Sequence, residues 1–111
     1  MTPEKVVFHL DEREKVPLVL NNVKNLIDEL EGVEVEVVAH AGGVEGLRTG
    51  SSHAELMERL AESGVRFVVC ENTLRSRNIL RSDFPGYVGT VPSAIVELVV
   101  RQAEGWRYLK P

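Results

Sequence analysis

The feature that most constrains the fold is a regular alternation of short apolar runs with stretches of helical periodicity. Five runs rich in branched and apolar residues predict strands at 5–10, 33–40, 65–70, 87–91 and 106–109. Strands that alternate with helices form parallel sheets joined by right-handed crossovers, with helices on both faces. The sequence therefore predicts an α/β fold, a three-layer α/β/α sandwich of flavodoxin or Rossmann type with a five-stranded, mostly parallel sheet. It leaves the strand order open.

Two of the predicted helices have a clear apolar stripe. In the first, which Gly32 ends, the stripe consists of Val16, Val19, Val23, Leu26, Ile27 and Leu30. The second begins near Ser51 or Ser52, of which Ser52 has the capping-box spacing to Glu55, and it ends at Gly64. Its stripe consists of Leu56, Met57, Leu60 and Ala61.

The other two helices are less regular. A short, mostly polar helix is predicted over 71–80, and an apolar helix opens at Ser93 and closes at Gly105. Between Ile95 and Val100 only Glu97 is polar, which is more apolar surface than one stripe needs. Either this helix is deeply packed within the domain, or another copy of the chain covers its extra face. We favour the second interpretation.

In the second strand, Val33, Val35 and Val37 alternate with Glu34 and Glu36. This pattern predicts that its first half shows one face to water or lies near a sheet edge.

Composition narrows the functional class. The 111 residues suit one domain, with 43% hydrophobic and 27% charged residues, as in ordinary globular proteins. The net charge of −4 argues against nucleic acid or an anionic membrane as a partner. A single cysteine cannot form an internal disulfide, which favours a reducing compartment. The start of the sequence lacks a secretory pattern. No apolar segment approaches the roughly 18 residues of a membrane span. We expect a soluble, cytoplasmic protein.

Three chemically capable residues fall at the carboxyl ends of predicted strands, where open parallel sheets bind ligands. They are His9, His40 and Cys70. Cys70 precedes a helix that begins through Asn72 and Thr73, two candidate assisting or pocket residues, and a helix N-terminus favours the thiolate. The alternative is a buried cysteine that only fills the core.

The remaining motifs predict no cofactor. Each histidine is either a structural hydrogen-bonding residue or an assisting base beside Cys70. Local metal-ligand spacings such as Cys-x-x-Cys or His-x-x-x-His are missing, so no metal site is predicted. Gly42 and Gly43 open a glycine-rich stretch over 41–52, the longest predicted loop, but they match no phosphate-binding fingerprint. They are candidates for lining a pocket or for a flexible loop.

Three segments together resemble one family. They are FVVCENTL at 67–74, HAGG at 40–43, and the tail from VPS at 91–93 to QAEGWRYLKP at 102–111. The chain is similar over nearly its whole length to small stand-alone members of the DsrE/DsrF-like (YchN-like) family. The resemblance implies an α/β/α fold and homotrimers or trimer-based hexamers. It also implies that Cys70 carries sulfane sulfur as a persulfide between donor and acceptor proteins. The chain departs from relay subunits after the first strand, where it has DERE at 11–14 instead of a loop with glycine and tyrosine.

The leading hypothesis is therefore an oligomeric sulfur carrier, sulfurtransferase-like more than a conventional enzyme. The alternative is a non-catalytic module that binds a small ligand or a protein, with Cys70 merely lining its pocket. A redox sensor ranks last, because one cysteine would need an intermolecular disulfide or a cap.

Overall fold

A computed structural model describes residues 3–111, and within them a five-stranded, all-parallel sheet has the order β4-β3-β2-β1-β5. The strands are β1 (Lys5–Leu10), β2 (Glu34–Ala39), β3 (Arg66–Cys70), β4 (Val88–Val91) and β5 (Arg107–Leu109). The helices are α1 (Val16–Glu29), α2 (Ala54–Glu62), α3 (Glu71–Ser76) and α4 (Ala94–Ala103). The predicted α/β class and its five strands are thus confirmed. None of the helices in this part of the chain has the length and apolarity that a bilayer crossing requires.

Two local predictions are wrong. The third helix ends at Ser76 because Asn78 adopts a left-handed conformation, with φ of +55°, which is typical of the residue after a helix end. Ser52 does not cap α2: the helix follows His53, whose backbone N–H instead donates to the hydroxyl of Ser51 at 3.1 Å.

The glycine-rich stretch after β2 is ordered, contrary to the predicted loop. Residues Ala41–Leu47 form a 3₁₀ helix, in which side chains three apart share a face, and Val44 and Leu47 are buried in the core. A Cβ on Gly43 would lie 2.1 Å from the carbonyl oxygen of Leu10, so only glycine lets this segment pack against the end of β1.

Alternation along the strands divides the core into two clusters. On one face, α1 and α2 cover residues such as Phe8, Val37 and Phe67. The other face packs against α4 and contains Val7, Val38, Val68, Cys70, Val91, Ala94, Leu98 and Trp106. The cysteine therefore belongs to the α4 side of the sheet.

Glu36 overturns the expectation that β2 shows a polar face to water. It lies on a central strand and is fully buried. Arg101 Nε donates to Glu36 Oε1 at 3.1 Å, and Arg66 Nε donates to Glu36 Oε2 at 2.8 Å. Burial raises the pKa of Glu36, and the hydrogen bond from Arg101 opposes that rise. An arginine reaching from α4 thus explains an acidic residue in the middle of the sheet.

The apolar helix α4 is not deeply packed. Ala94 and Leu98 contact the sheet, whereas Ile95, Val96, Val99 and Val100 are 56%, 60%, 62% and 44% exposed. The deeply packed interpretation is therefore wrong, and the extra apolar face of α4 points away from its own sheet.

Candidate functional site

The carboxyl edge of the sheet brings the three predicted residues to one side. His9 lies two residues after Val7 on β1, and Cys70 lies two residues after Val68 on β3, so each shares a face of the sheet with its valine. Both valines pack in the α4 cluster. Val38 pairs with Val68 in the register of β2 and β3, and the backbone of His40 remains extended. Continuing that register by two residues sets His40 level with Cys70 on the neighbouring strand.

The sulfur of Cys70 lies between the first turns of two helices. Cys70 precedes α3, and the backbone N–H groups of Asn72 and Thr73 in the first turn of that helix lower the pKa of the thiol. The N–H of Ala94, the first residue of α4, donates to Sγ at 3.3 Å. These are amides that no helix of their own can satisfy, so the thiol uses donors that would otherwise require water. Cys70 therefore lies at the predicted strand-to-helix junction, between β3 and α3. The start of a second helix, α4, also contacts its sulfur.

This surrounding changes the acidity of the thiol. Burial of Cys70 raises its pKa, but the hydrogen bonds from Ala94, Thr73 and Asn72 outweigh that effect and leave the pKa below its ordinary value. The residue is only 5% exposed. The surroundings therefore stabilise the thiolate form relative to a free cysteine, while almost none of the residue is open to solvent.

Thr73 links the cysteine to the segment after β2. Its hydroxyl also interacts with Cys70, while its Oγ1 accepts a hydrogen bond from the N–H of Ala41 at 3.0 Å. Ala41 has a φ of +50°, a conformation that a non-glycine residue adopts only when its surroundings hold it there. This hydrogen bond therefore joins the residue after His40 to the first turn of α3.

The other predicted pocket residues have structural explanations. Gly43 is required by its close approach to Leu10, and a Cβ on Gly42 would be 3.4 Å from the backbone nitrogen of Arg13. The side chain of Asn72 is exposed and accepts a hydrogen bond from Arg75, so only its backbone serves the sulfur.

His9 and His40 form a pair with each other. Their Nε2 atoms are 2.7 Å apart, the ring centroids are 4.9 Å apart, and the ring planes are inclined at 21°, so the rings meet end to end. Nδ1 of His9 lies 2.5 Å from the hydroxyl of Tyr108 on β5. Burial and the neighbouring His40 lower the pKa of His9, while Asp11 acts in the opposite direction. Within the described chain, no hydrogen bond joins either ring to Cys70, so the histidines form a second cluster beside the thiol.

Sequence reasoning missed Tyr108, Asp11 and Ala94. Asp11 follows His9 by two residues, and that spacing is visible in the sequence. Tyr108 and Ala94 reach the site only because β5 lies beside β1 and α4 begins beside β3. The sequence leaves the strand order open, so it could not predict these contacts.

A groove of about 620 Å³ runs along α3 next to this site. Its walls include the apolar residues Leu74, Ile79 and Leu80. Glu71 and Thr90 also line it, and the Thr90 hydroxyl donates to Glu71 at 3.1 Å. Cys70 does not line the groove, and Leu74 and Ile79 belong to the core cluster on the opposite face of the sheet from Cys70.

Comparison with known proteins agrees with this architecture. The profile of the DsrE/DsrF-like family matches residues 6–111. A solved structure, that of the protein of unknown function MTH1491 from Methanobacterium thermoautotrophicum, is 42% identical and superposes with a TM-score of 0.93. The match covers 97% of this chain and 99% of that one. Among curated proteins, none matches the chain.

Proposed function

This chain belongs to the DsrE/DsrF-like family, and we propose that it is a small sulfur carrier that holds sulfane sulfur as a persulfide on Cys70. Membership of this family suggests a role related to sulfur relay. The observation that carries the finer proposal is the hydrogen bond from the N–H of Ala94 at the start of α4 to Sγ of Cys70, which itself lies at the start of α3. A sulfur carrier needs a nucleophilic thiolate, and this arrangement favours that form.

The transfer balances without an oxidant or a metal. The Cys70 thiolate attacks the outer sulfur of a donor persulfide, a new S–S bond forms on Cys70, and the donor leaves as its thiolate. An acceptor thiolate then attacks the outer sulfur on Cys70, and Cys70 leaves as a thiolate. The same amides that hold the thiolate before loading stabilise it as a leaving group, since a thiol of lower pKa leaves faster.

We infer that the working form is a homotrimer or a trimer-based hexamer. The support is the exposed apolar face of α4, which begins one residue after Ala94, the donor to the sulfur. A neighbouring copy on that face would complete the wall around Cys70. Donor and acceptor proteins would then meet the thiol at the rim, in a reducing compartment such as the cytoplasm.

Intact-mass measurement tests the carrier proposal directly. Incubation with a small-molecule persulfide is expected to add one sulfur atom, which dithiothreitol removes. Cys70→Ser protein and wild-type protein first alkylated at Cys70 are the two controls, and neither should gain sulfur. No gain in the wild type, or a gain that persists in both controls, would overturn the proposal.

The groove along α3 supports a second candidate, a module that binds a small ligand or a peptide. In that case Cys70 would take no part in binding, since it does not line this groove. Alkylation with iodoacetamide across pH separates the two: a thiol pKa below the free value of about 8.5 with fast alkylation favours transfer. An ordinary pKa with slow alkylation favours binding.

A further inference from the structure

We propose that His9, Asp11 and His40 form a binding site for a divalent transition metal, with Zn²⁺ as the ion that its donors suit. The two imidazoles and the carboxylate each offer one ligand atom, and these atoms all lie within 4.8 Å of one another. Two histidines with one carboxylate form a common set of three protein ligands for zinc. This inference does not depend on sulfur transfer at Cys70.

The two imidazoles already face each other through the atoms that would bind the metal. Their Nε2 atoms are 2.7 Å apart, a hydrogen-bonding distance that requires a shared proton. Two nitrogens bound at about 2.0–2.1 Å to a tetrahedral zinc ion lie about 3.3 Å apart, so the pair has to open by about 0.6 Å. Small ring rotations supply that distance, and the metal then takes the place of the proton.

The outer nitrogen of His9 is held in the manner of a zinc ligand. Nδ1 lies 2.5 Å from the hydroxyl of Tyr108. When Nδ1–H donates to that oxygen, the lone pair is left on Nε2, the atom that faces His40. Metal-bound histidines almost always have such a partner on their second nitrogen, which fixes both tautomer and ring orientation.

The backbones of both histidines are held rigidly. His9 is part of β1, and the N–H of His40 donates to the carbonyl of Leu10 at 3.1 Å. The carbonyl of His40 in turn accepts from the N–H of Gly43 at 2.9 Å, the glycine whose close approach draws the ends of β1 and β2 together. The donors are therefore preorganised on a strand and a fixed turn.

The third donor has one competitor. Lys110 Nζ lies 3.4 Å from Oδ2 of Asp11, with side chains 48% and 28% exposed. Exposed ion pairs of this kind are weak, so a dication displaces the lysine readily. Three protein donors leave the fourth zinc position open for water or a ligand, on the same sheet edge as Cys70.

Titration of untagged, metal-free protein tests the site. Zn²⁺ is added in competition with a chromophoric chelator, and Co²⁺ serves as the spectroscopic probe. We expect one ion per chain and visible Co²⁺ bands of a four- or five-coordinate site. Tyr108→Phe should weaken Zn²⁺ binding roughly 10- to 100-fold, as loss of an outer hydrogen bond to a ligand does elsewhere.

The ligand variants decide the assignment. His40→Ala and Asp11→Asn should each abolish the stoichiometric binding, and Asp11→Asn changes only a partly exposed side chain, so it should leave the fold intact. His53→Ala is the matched control, since His53 precedes α2 and is not part of the cluster; it should bind normally. Retained binding in both ligand variants, loss in His53→Ala, loss in Cys70→Ser, or no stoichiometric binding by the wild type would each overturn the proposal.

Discussion

Replacing Arg101 by methionine would leave the buried carboxylate of Glu36 with one of its two arginine partners. Breaking a buried ion pair from one side costs about 3–5 kcal/mol, because a charge stays buried without its counter-ion. Arg66 remains at 2.8 Å, but its side chain is 56% exposed, so it compensates only in part. We expect a loss near the lower limit, about 3 kcal/mol, which lowers the unfolding temperature by roughly 10–20 °C in a domain of this size.

The loss should depend on pH, with a sign that the pKa of Glu36 determines. Burial raises the pKa of Glu36 in the folded state, so the folded protein binds that proton more tightly than the unfolded chain does. When the pH is above its folded pKa, Glu36 is ionised and destabilises the folded state. This destabilisation falls as pH drops towards the unfolded pKa of about 4.3. Removing Arg101 raises the folded pKa further. The difference between Arg101→Met and the wild type should thus be largest at neutral pH and shrink on acidification.

Urea unfolding of four proteins between neutral and mildly acidic pH measures this effect. The set is the wild type, Arg101→Met, Glu36→Gln and the double variant, and the double variant should recover part of the loss because no charge is then buried. Arg107→Met is the matched control. It breaks an arginine–carboxylate contact at 3.0 Å with Glu4, but both side chains are exposed, so about 0–1 kcal/mol is expected. Equal losses in both arginine variants, or a pH-independent loss in Arg101→Met, would refute the reasoning.

Three further predictions follow from single contacts. Gly43→Ala should destabilise the protein by about 3 kcal/mol in chemical unfolding, because its Cβ would meet a backbone oxygen at 2.1 Å; Gly86→Ala, which meets nothing within 4 Å, should be nearly neutral. Thr73→Val should raise the pKa of the Cys70 thiol by removing a hydrogen bond, and so slow its alkylation at neutral pH, whereas Thr73→Ser should not; equal rates would contradict the role of the hydroxyl. If the proposed homotrimer or hexamer forms through α4, Val99→Glu should give a smaller species in light scattering without lowering monomer stability, since Val99 is 62% exposed; an unchanged mass would mean that α4 is not the interface.

The sequence predicts the α/β class correctly because strand and helix periodicity is local information. Each strand is found within a residue at either end, and the start of α4 at Ser93 is confirmed by its hydroxyl, which accepts from the N–H of Val96 at 3.4 Å. The errors at Ser52 and beyond Ser76 concern helix ends, where a single capping or left-handed residue determines at which position the helix begins or ends.

The site could be predicted only in part, because its geometry depends on which strands are neighbours. Cys70 and the two histidines follow from the rule that ligands bind at the carboxyl ends of parallel strands. The contact of Tyr108 with His9 requires β5 to lie beside β1, and the burial of Glu36 requires an arginine from a helix 65 residues later. Pairings over such separations have no local signal in one sequence.

The hydrogen bond from the N–H of Ala94 couples the position of the start of α4 to the ionisation of the Cys70 thiol. Such coupling is reciprocal. Contacts that hold the start of α4 in place stabilise the thiolate, and neutralising the sulfur destabilises the start of α4 by the same free energy. Alkylation of Cys70 removes that negative charge and is therefore expected to loosen the start of α4, whose outer face is exposed.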